Sequence, residues 1–182
     1  MLPFRGGYYQ LKPNVPLAFR TNLYPVPDLE VPFLGVHVSP SIDGTVYIGP
    51  TATPALGREN YHGLKGAEPL MALKFMASLA RQAVADRKIR RYVKEQSLDW
   101  LPHRFLAAAQ QIVPALRKEH IEPSLKSGIR PQLYDRKKNE LVQDFVMMSG
   151  PSSTHIVNAI SPAFTASFEL ADHILENTQL NL

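Results

Sequence analysis

The sequence predicts an α+β fold in which a mostly antiparallel sheet is combined with helices. In the first third of the chain, short apolar runs are separated by proline, asparagine and aspartate, which punctuate sheets and do not continue central strands. In the middle, apolar residues recur at three- and four-residue spacing, which indicates amphipathic helices. The last third returns to short strand-like runs and ends in a further helical stretch. Strands and helices grouped in this way along the chain indicate the α+β class.

The first part of the chain is expected to form strands at residues 8–12, 21–26 and 33–38. Asp43-Gly44 lies between a β-prone run and a second one at 45–48, and glycine tolerates the positive φ of a tight hairpin turn. The sixteen prolines are concentrated before residue 55, in keeping with turns and sheet edges. An antiparallel sheet is therefore expected here.

Two helices are expected in the middle of the chain. The first covers residues 68–96, and the second covers 103–118, with Pro114 bending it or ending it early. The face that the first helix is expected to bury carries Leu70, Leu73, Met76, Leu79, Ala80 and Val84. The buried side of the second helix carries Phe105, Ala109, Ile112, Val113 and Leu116.

The last part of the chain is expected to form strands at residues 128–133, 141–145 with 146–148, and 155–159. A helix follows them. Its buried side is expected to carry Phe164, Phe168, Ala171 and Leu175, at the spacing of one helical face.

The composition is that of an ordinary globular protein. Hydrophobic residues make up 45% and charged residues 20% of the 182 residues, a length sufficient to bury a core. No apolar run approaches the roughly 20 residues of a membrane-spanning helix, and the N-terminus lacks the pattern of a signal peptide. We expect a cytoplasmic protein, with a peripheral position at the inner membrane left open.

Cysteine and histidine usage excludes several kinds of site. The absence of cysteine excludes disulfides, thiolate chemistry and cysteine-type zinc sites, and it fits a reducing compartment. None of the six histidines forms a pair at metal-ligand spacing, so no metal site is expected.

A net charge of +4 reflects a basic run between Arg81 and Lys94. Such a run on one helix could contact RNA phosphates or acidic lipid headgroups. It lacks the regular aromatic–basic interleaving of single-strand binders, so a solvated face is favoured and nucleic acid is not expected as a partner. A face that docks on another part of an enzyme is a further alternative.

The segment from His155 to Ser167 is a short apolar strand that runs directly into a predicted helix. Ser161 suits the cap of that helix, and Pro162 suits its first position. The N–H groups of a helix N-terminus can hold an anionic atom of a cofactor or substrate. An ordinary strand–helix junction is the alternative.

This segment resembles the flavin-contacting signature N-A-x-S-P-A-x-T-A-S of the L-2-hydroxyglutarate oxidases, members of the amino-acid-oxidase-like FAD superfamily. Further blocks match the same family in the same order. They lie at residues 3–9, 23–28, 33–37, 42–46, 49–50, 58–61, 128–132 and 141–145. The blocks are short, but together they span nearly the whole chain. The resemblance implies the C-terminal half of such an enzyme, with a substrate-binding domain at 1–120 and the C-terminal portion of the FAD-binding domain at 121–182.

The Rossmann half that binds the AMP part of FAD in this superfamily is absent from the sequence, which contains no G-x-G-x-x-G turn between a strand and a helix. A truncated gene product, an expressed fragment and one subunit of a split enzyme are all compatible with this. The resemblance implies FAD as cofactor, with only the isoalloxazine side of its site present. The residues implied to contact it are Asn158, Ser161, Pro162, Ala163, Phe164 and Thr165. Expected partners are the missing half, if the enzyme is split, and a second copy through exposed apolar surface.

The implied reaction oxidises L-2-hydroxyglutarate to 2-oxoglutarate by hydride transfer to FAD, and it requires a base and two cationic groups for the dicarboxylate. Arg130 lies in a G-x-R-P block, and superfamily members commonly use this arginine to grip the substrate carboxylate. A surface pairing with an acidic residue is its alternative role. Arg5 and Arg58 are second candidates, and a structural role is favoured for each.

His37 is the candidate base, with a hydrogen-bonded core histidine as the alternative. Tyr8 and Tyr9 are candidate substrate contacts, and strand alternation puts them on opposite faces, so that one donates its hydroxyl while the other packs in the core. Gly7 stands where family members usually have an acidic residue, which removes a polar contact.

The sequence therefore predicts a fragment of a flavin-dependent oxidoreductase that is inactive alone. One alternative is another superfamily member acting on an amino acid or glycerol phosphate. The other is a non-catalytic remnant or interaction module.

Overall fold

A computed structural model describes residues 1–26, 35–95, 97–98, 100–135, 137–138, 140–142, 144–160 and 163–178 of the chain. They divide into two compact units, Met1–Glu140 and Leu141–Leu182. The strands are β1 (Leu2–Leu11), β2 (His37–Pro40), β3 (Val46–Gly49), β4 (Thr53–Pro54), β5 (Ile121–Gln132), β6 (Tyr134–Asp135), β7 (Glu140–Leu141), β8 (Val146–Gly150) and β9 (Ser153–Asn158). The helices are α1 (Pro69–Ala85), α2 (Arg87–Glu95), α3 (Pro102–Gln110), a 3₁₀ turn at Lys118–His120, and α4 (Ser167–Asn177). The expected α+β class is confirmed.

The first unit is built on a five-stranded antiparallel sheet in the order β2-β3-β1-β4, with β5 paired to β1. Because β5 completes this sheet, the compact unit extends to Glu140. The assignment of residues 1–120 and 121–182 to two functional domains stays a prediction about the complete enzyme.

An irregularity in the β1–β5 pair shapes the sheet beside Tyr8. Gly7 lies opposite Ser127, whereas Tyr9 lies opposite Pro123, so residues 124–126 lie across from Tyr8 alone. Extra residues of this kind bend a strand and change the direction of its side chains. The irregularity places Lys126 next to Tyr8.

The hairpin at Asp43-Gly44 is confirmed between β2 and β3. Gly44 has φ +84°, and the Asp43 carboxylate accepts the Thr45 N–H at 2.9 Å. The strand expected at 21–26 is wrong over its described residues, because only Leu23 forms a bridge, to Val38. Pro25 lacks the N–H that a longer ladder needs. Residues 33–34 of the next expected strand lie outside the described residues.

The single helix expected over 68–96 is wrong, since α1 and α2 are separated at Asp86, whose backbone is extended. The Asp86 carboxylate accepts the Lys88 N–H at 2.7 Å and so favours a new helix start. The Arg90 guanidinium donates to the carbonyls of Ala83 at 2.8 Å and Val84 at 2.6 Å. These carbonyls lie in the last turn of α1, where backbone acceptors have no intrahelical partner. Arg90 therefore has a structural role.

The buried face expected for the first helix is also wrong. Most of the expected residues are exposed: Leu70, Leu73, Met76, Ala80 and Val84. Leu79 is buried as expected, and the helix otherwise buries Phe75 and Gln82. Phe4 of β1 explains the choice, because its ring makes edge contacts with Phe75 at 5.4 Å and with Tyr92 of α2 at 5.5 Å.

The residues expected to be buried by the second helix do pack in the core, but only Phe105 and Ala109 of them lie on the observed helix. The helix α3 ends at Gln110, before Pro114. Its core residues and those that follow it pack in one cluster with the sheet: Phe105, Ala109, Val113 and Leu116 with Val36, Val38, Ile48 and Ile121. This core covers one side of the β1–β3 pair.

The second unit contains the antiparallel pair β8–β9 and helix α4. The expectation that α4 buries an apolar face is wrong for the described residues. Phe164 is 93%, Phe168 87% and Leu175 63% exposed, and Ala171 is exposed as well. One hairpin and one helix are too few elements to enclose such a face.

Candidate active site

An aromatic–cation cluster occupies one face of the sheet in the first unit, formed by Tyr8, Tyr24, His37, Tyr47 and Lys126. The Lys126 Nζ lies 4.1 Å from the ring centre of Tyr47 and 5.1 Å from that of Tyr8. The Tyr8 and Tyr47 rings meet edge to face at 6.3 Å, and the Tyr24 ring lies 4.6 Å from that of His37. A cation held over ring faces is attracted by their electron-rich surfaces.

Strand geometry assembles this cluster. The two tyrosines of β1 diverge: Tyr9 stacks on Phe105 at 4.3 Å in the core, whereas Tyr8 contacts Tyr47. Gly49 makes room for Tyr8, because a Cβ at Gly49 would lie 2.8 Å from Tyr8 Cδ1 and the glycine has φ +147°. Both tyrosines are among the residues that line the neighbouring pocket, and substrate contact by either stays a prediction.

His37 lies half-buried at the start of β2, and its Nδ1 is buried without a hydrogen-bond partner among the described residues. Burial lowers the pKa of His37, the Gly35 backbone opposes this more weakly, and the charge of Lys126 lowers the pKa further. The imidazole is therefore neutral at pH 7, and a neutral imidazole has one nitrogen that accepts a proton.

A cationic pocket of about 210 Å³ adjoins the cluster, and its lining includes Arg5, Tyr8, Thr51, Tyr61, Lys126 and Ser127. No aspartate or glutamate is among its described lining residues. Arg5 donates to the amide oxygen of Asn60 at 3.4 Å and to the Gly63 carbonyl at 3.3 Å, both neutral acceptors. Two basic residues, Arg5 and Lys126, thus belong to the lining of one cavity.

The other predicted cationic residues lie elsewhere. Arg58 forms a two-pronged ion pair with Glu68, whose carboxylate also accepts the Arg58 backbone N–H at 3.0 Å, and the pair raises the pKa of Arg58. Arg130 lies opposite Phe4 in the β1–β5 pair, and burial lowers its pKa. Neither is among the described lining residues of the cationic pocket, and substrate binding by either stays a prediction.

The structure brings two predicted residues together, Tyr8 and His37, and adds Tyr24, Tyr47 and Lys126. Tyr47 could have been found from the sequence, because the buried Ile48 implies an opposite direction for its neighbour. Lys126 carries no such signal, since its position depends on the irregularity in β5.

The predicted flavin segment lies in the second unit. Asn158 is buried, and its amide donates to the Asp144 carbonyl at 2.7 Å. Ser161 and Pro162 lie outside the described residues. The N–H of Ala163 donates to the Ile160 carbonyl at 2.8 Å, while the Phe164 and Thr165 side chains are exposed. The helix begins at Ser167 rather than at Pro162, so that expected start is wrong. Contact of these residues with a flavin stays a prediction.

Two further findings bear on the kind of protein. Within the described parts of the chain, no three or more His, Cys, Asp or Glu side chains are grouped to hold a metal ion. Among the helices described, none is both long enough and apolar enough to cross a membrane.

Comparison with known proteins decides the family. The family model for FAD dependent oxidoreductases matches residues 1–176. The chain belongs to this family. The L-2-hydroxyglutarate dehydrogenase of Salmonella houtenae is 32% identical over 177 residues, covering 97% of this chain and 41% of that protein. The mitochondrial L-2-hydroxyglutarate dehydrogenases of Caenorhabditis elegans and Homo sapiens are 34% and 33% identical over 180 and 185 residues, covering 96% and 98% of this chain.

The sequence resemblance to this group of flavoproteins is thereby confirmed. The chain spans about 40% of the length of these relatives, between 39% and 41%. It is thus a portion of the FAD-dependent oxidoreductase architecture.

Proposed function

We propose that the chain is the substrate-side portion of a flavoenzyme that oxidises L-2-hydroxyglutarate to 2-oxoglutarate. The observation that carries this is the presence of the half-buried His37 and the cation Lys126 in one aromatic cluster, where the charge of Lys126 acts on the imidazole. The names of the relatives supply the substrate, and the family supplies FAD. Only the isoalloxazine side of the FAD site is proposed to lie on this chain, at Asn158 and residues 161–165.

His37 acts as the general base. The proton of the substrate's 2-hydroxyl passes to the imidazole nitrogen, the hydroxyl oxygen forms the C=O bond, and the C2 hydrogen leaves with its electron pair. FAD, when bound, supplies the two-electron acceptor for that hydride. The lowered pKa of His37 keeps the imidazole in its proton-accepting form before the substrate binds.

Lys126 binds a substrate carboxylate, and this binding makes His37 a stronger base. Its charge lowers the pKa of His37 in the free protein. A bound carboxylate offsets that charge, so the pKa of His37 rises in the complex and the base becomes stronger. Tyr8 and Tyr47 hold the ammonium group in place, which limits the ordering that binding requires.

The test is His37→Gln in the complete flavoenzyme that contains these residues. We expect a fall in kcat of about 10²- to 10⁴-fold with FAD content and KM nearly unchanged. His103→Gln, on an exposed position of α3, is the matched control and retains activity. Turnover of an amino acid or glycerol phosphate in preference to L-2-hydroxyglutarate by the unmodified enzyme would contradict the proposed substrate.

A further inference from the structure

Resting on the proposed function, we propose that the cationic pocket selects a dicarboxylate: Lys126 binds the carboxylate next to the reacting carbon, and Arg5 binds the distal one. Arg5 thereby determines the preference for a five-carbon dicarboxylic hydroxy acid over a monocarboxylic one. The argument depends on the partners of Arg5, on the loop that holds it, and on the other groups in the pocket.

Arg5 keeps hydrogen-bonding capacity for an anion. A guanidinium has five N–H donors, and the partners of Arg5 among the described residues are two neutral oxygens at 3.3 and 3.4 Å. Arg58 shows the contrast, because Glu68 already occupies its donors at 3.1 Å. A carboxylate on Arg5 would form the stronger, charge-assisted bonds that the neutral partners do not provide.

A tight loop built around Asn60 positions Arg5. The fully buried Asn60 amide donates to the carbonyls of Gly63 and Lys65 at 2.9 Å, and its oxygen accepts the Leu56 N–H at 3.0 Å. Gly66 closes the loop at φ +76°, where a Cβ would overlap the Glu59 carbonyl oxygen. The acceptors that orient Arg5 are thus fixed before any ligand binds, which makes Asn60 a positioning residue.

Three hydroxyl groups of the pocket lining take part in hydrogen bonds to the backbone. Ser127 donates to the Tyr61 carbonyl at 3.0 Å, and Thr53 donates to the Arg5 carbonyl at 3.2 Å. The Thr51 hydroxyl oxygen accepts the Gly7 N–H at 3.0 Å. Arg5 and Lys126 are the arginine and the lysine among the described lining residues, so the charge that complements an anion is assigned to these two side chains.

Arg5 and Lys126 lie on two paired strands, and both are among the lining residues of the pocket. Gly7 lies opposite Ser127, the neighbour of Lys126, and Arg5 is two residues further along β1. Two residues of a strand span about 7 Å. A dicarboxylate offers one anionic end to each of the two cations, whereas a monocarboxylate leaves Arg5 without an anionic partner.

Binding is tested first, on this chain and without turnover. The only tryptophan, Trp100, lines the pocket and serves as a fluorescence reporter. We expect glutarate to change its emission and pentanoate to bind at least tenfold more weakly. Arg5→Met should weaken glutarate binding about 10- to 100-fold, the cost of one charged hydrogen-bonded contact. Arg20→Met, at an exposed arginine, is the control and should bind like the unmodified chain.

Discrimination is tested next, in the complete flavoenzyme with L-2-hydroxyglutarate and L-2-hydroxypentanoate. Arg5→Met should lower kcat/KM for the dicarboxylate about 10- to 100-fold and leave the monocarboxylate within threefold. Lys126→Met should lower both. Arg5→Lys, which keeps the charge, should retain part of the preference for the dicarboxylate. If the methionine variant does not fold, the lysine variant still tests the role of Arg5.

The outcomes separate this inference from the proposed function. If Arg5→Met lowers both substrates equally, or binds glutarate as tightly as the unmodified chain, the assignment of Arg5 is wrong. If glutarate binds through Arg5 but L-2-hydroxyglutarate is not oxidised, the dicarboxylate pocket stands and the proposed reaction fails.

Discussion

The Nζ of Lys126 lies 4.1 Å from the ring centre of Tyr47, on a part of β5 where three residues face the single residue Tyr8. The ammonium group is thus oriented by aromatic rings, which attract it without neutralising it. A carboxylate ligand can therefore still bind to it, whereas an ion pair with a protein carboxylate would block that contact.

Removing this ammonium group should affect both substrate binding and the base. Lys126→Met is expected to raise KM for L-2-hydroxyglutarate about 10- to 100-fold, the cost of a charge-assisted contact. It should also raise the pKa of His37, because the Lys126 charge lowers that pKa. NMR titration of the His37 ring reports the second effect. Lys12→Met, at an exposed lysine, should change neither quantity, and an unchanged His37 titration in Lys126→Met would refute the coupling.

The pH dependence of catalysis should reveal the same coupling. The acid limb of kcat/KM reports the free enzyme, in which burial and Lys126 hold the pKa of His37 below its ordinary value of 6.5. The acid limb of kcat reports the complex and should lie at a higher pH. Two coincident acid limbs would contradict an effect of the bound carboxylate on His37.

The free energy of unfolding should depend on pH through the same histidine, His37. Because the pKa of His37 is lowered in the folded state, the unfolded chain binds more protons as the pH falls below 6.5. The stabilisation is therefore complete above 6.5 and is lost as the pH falls through the lower, folded-state pKa. Urea unfolding of the chain should show this loss, and His37→Gln should show less of it. Equal pH dependence in the two proteins would exclude a role for His37.

The basic run between Arg81 and Lys94 should be dispensable for chemistry. Arg90→Met removes two hydrogen bonds to the end of α1 and should cost about 1 kcal/mol of unfolding free energy. Arg87→Met, at an exposed residue of the same helix, is the control and should cost little. Both variants should retain turnover within a few-fold. Salt-sensitive RNA binding that these substitutions abolish would instead favour an interaction module.

Local patterns were sufficient to predict the hairpin at Asp43-Gly44 and the buried side of α3. A turn glycine and an apolar spacing are properties of a few neighbouring residues, so the sequence displays them directly. The opposite directions of Tyr8 and Tyr9 follow in the same way from strand alternation.

Features that depend on distant partners could not be predicted. The first helix carries apolar residues on several sides, and the choice of Phe75 over Leu73 depends on Phe4, which is far away in sequence. The break at Asp86 depends on a competing side-chain hydrogen bond. Lys126 reaches the site through a register shift between two strands that are distant in sequence, and no periodicity within β5 reveals it.

The exposed face of the second unit should make the chain associate with itself. Phe164, Phe168 and Leu175 are exposed at 93%, 87% and 63%, and apolar surface of this kind promotes association. Phe168→Lys should reduce the mass measured by light scattering. Glu169→Lys, at the adjacent exposed position, changes the charge without removing apolar surface and should leave the mass unchanged.

The chain should also purify colourless, because contacts to one edge of the flavin provide only part of the free energy with which a complete enzyme binds FAD. A monomer over a wide concentration range, or a stoichiometric yellow flavoprotein from this chain alone, would contradict the proposal that it is one portion of the enzyme.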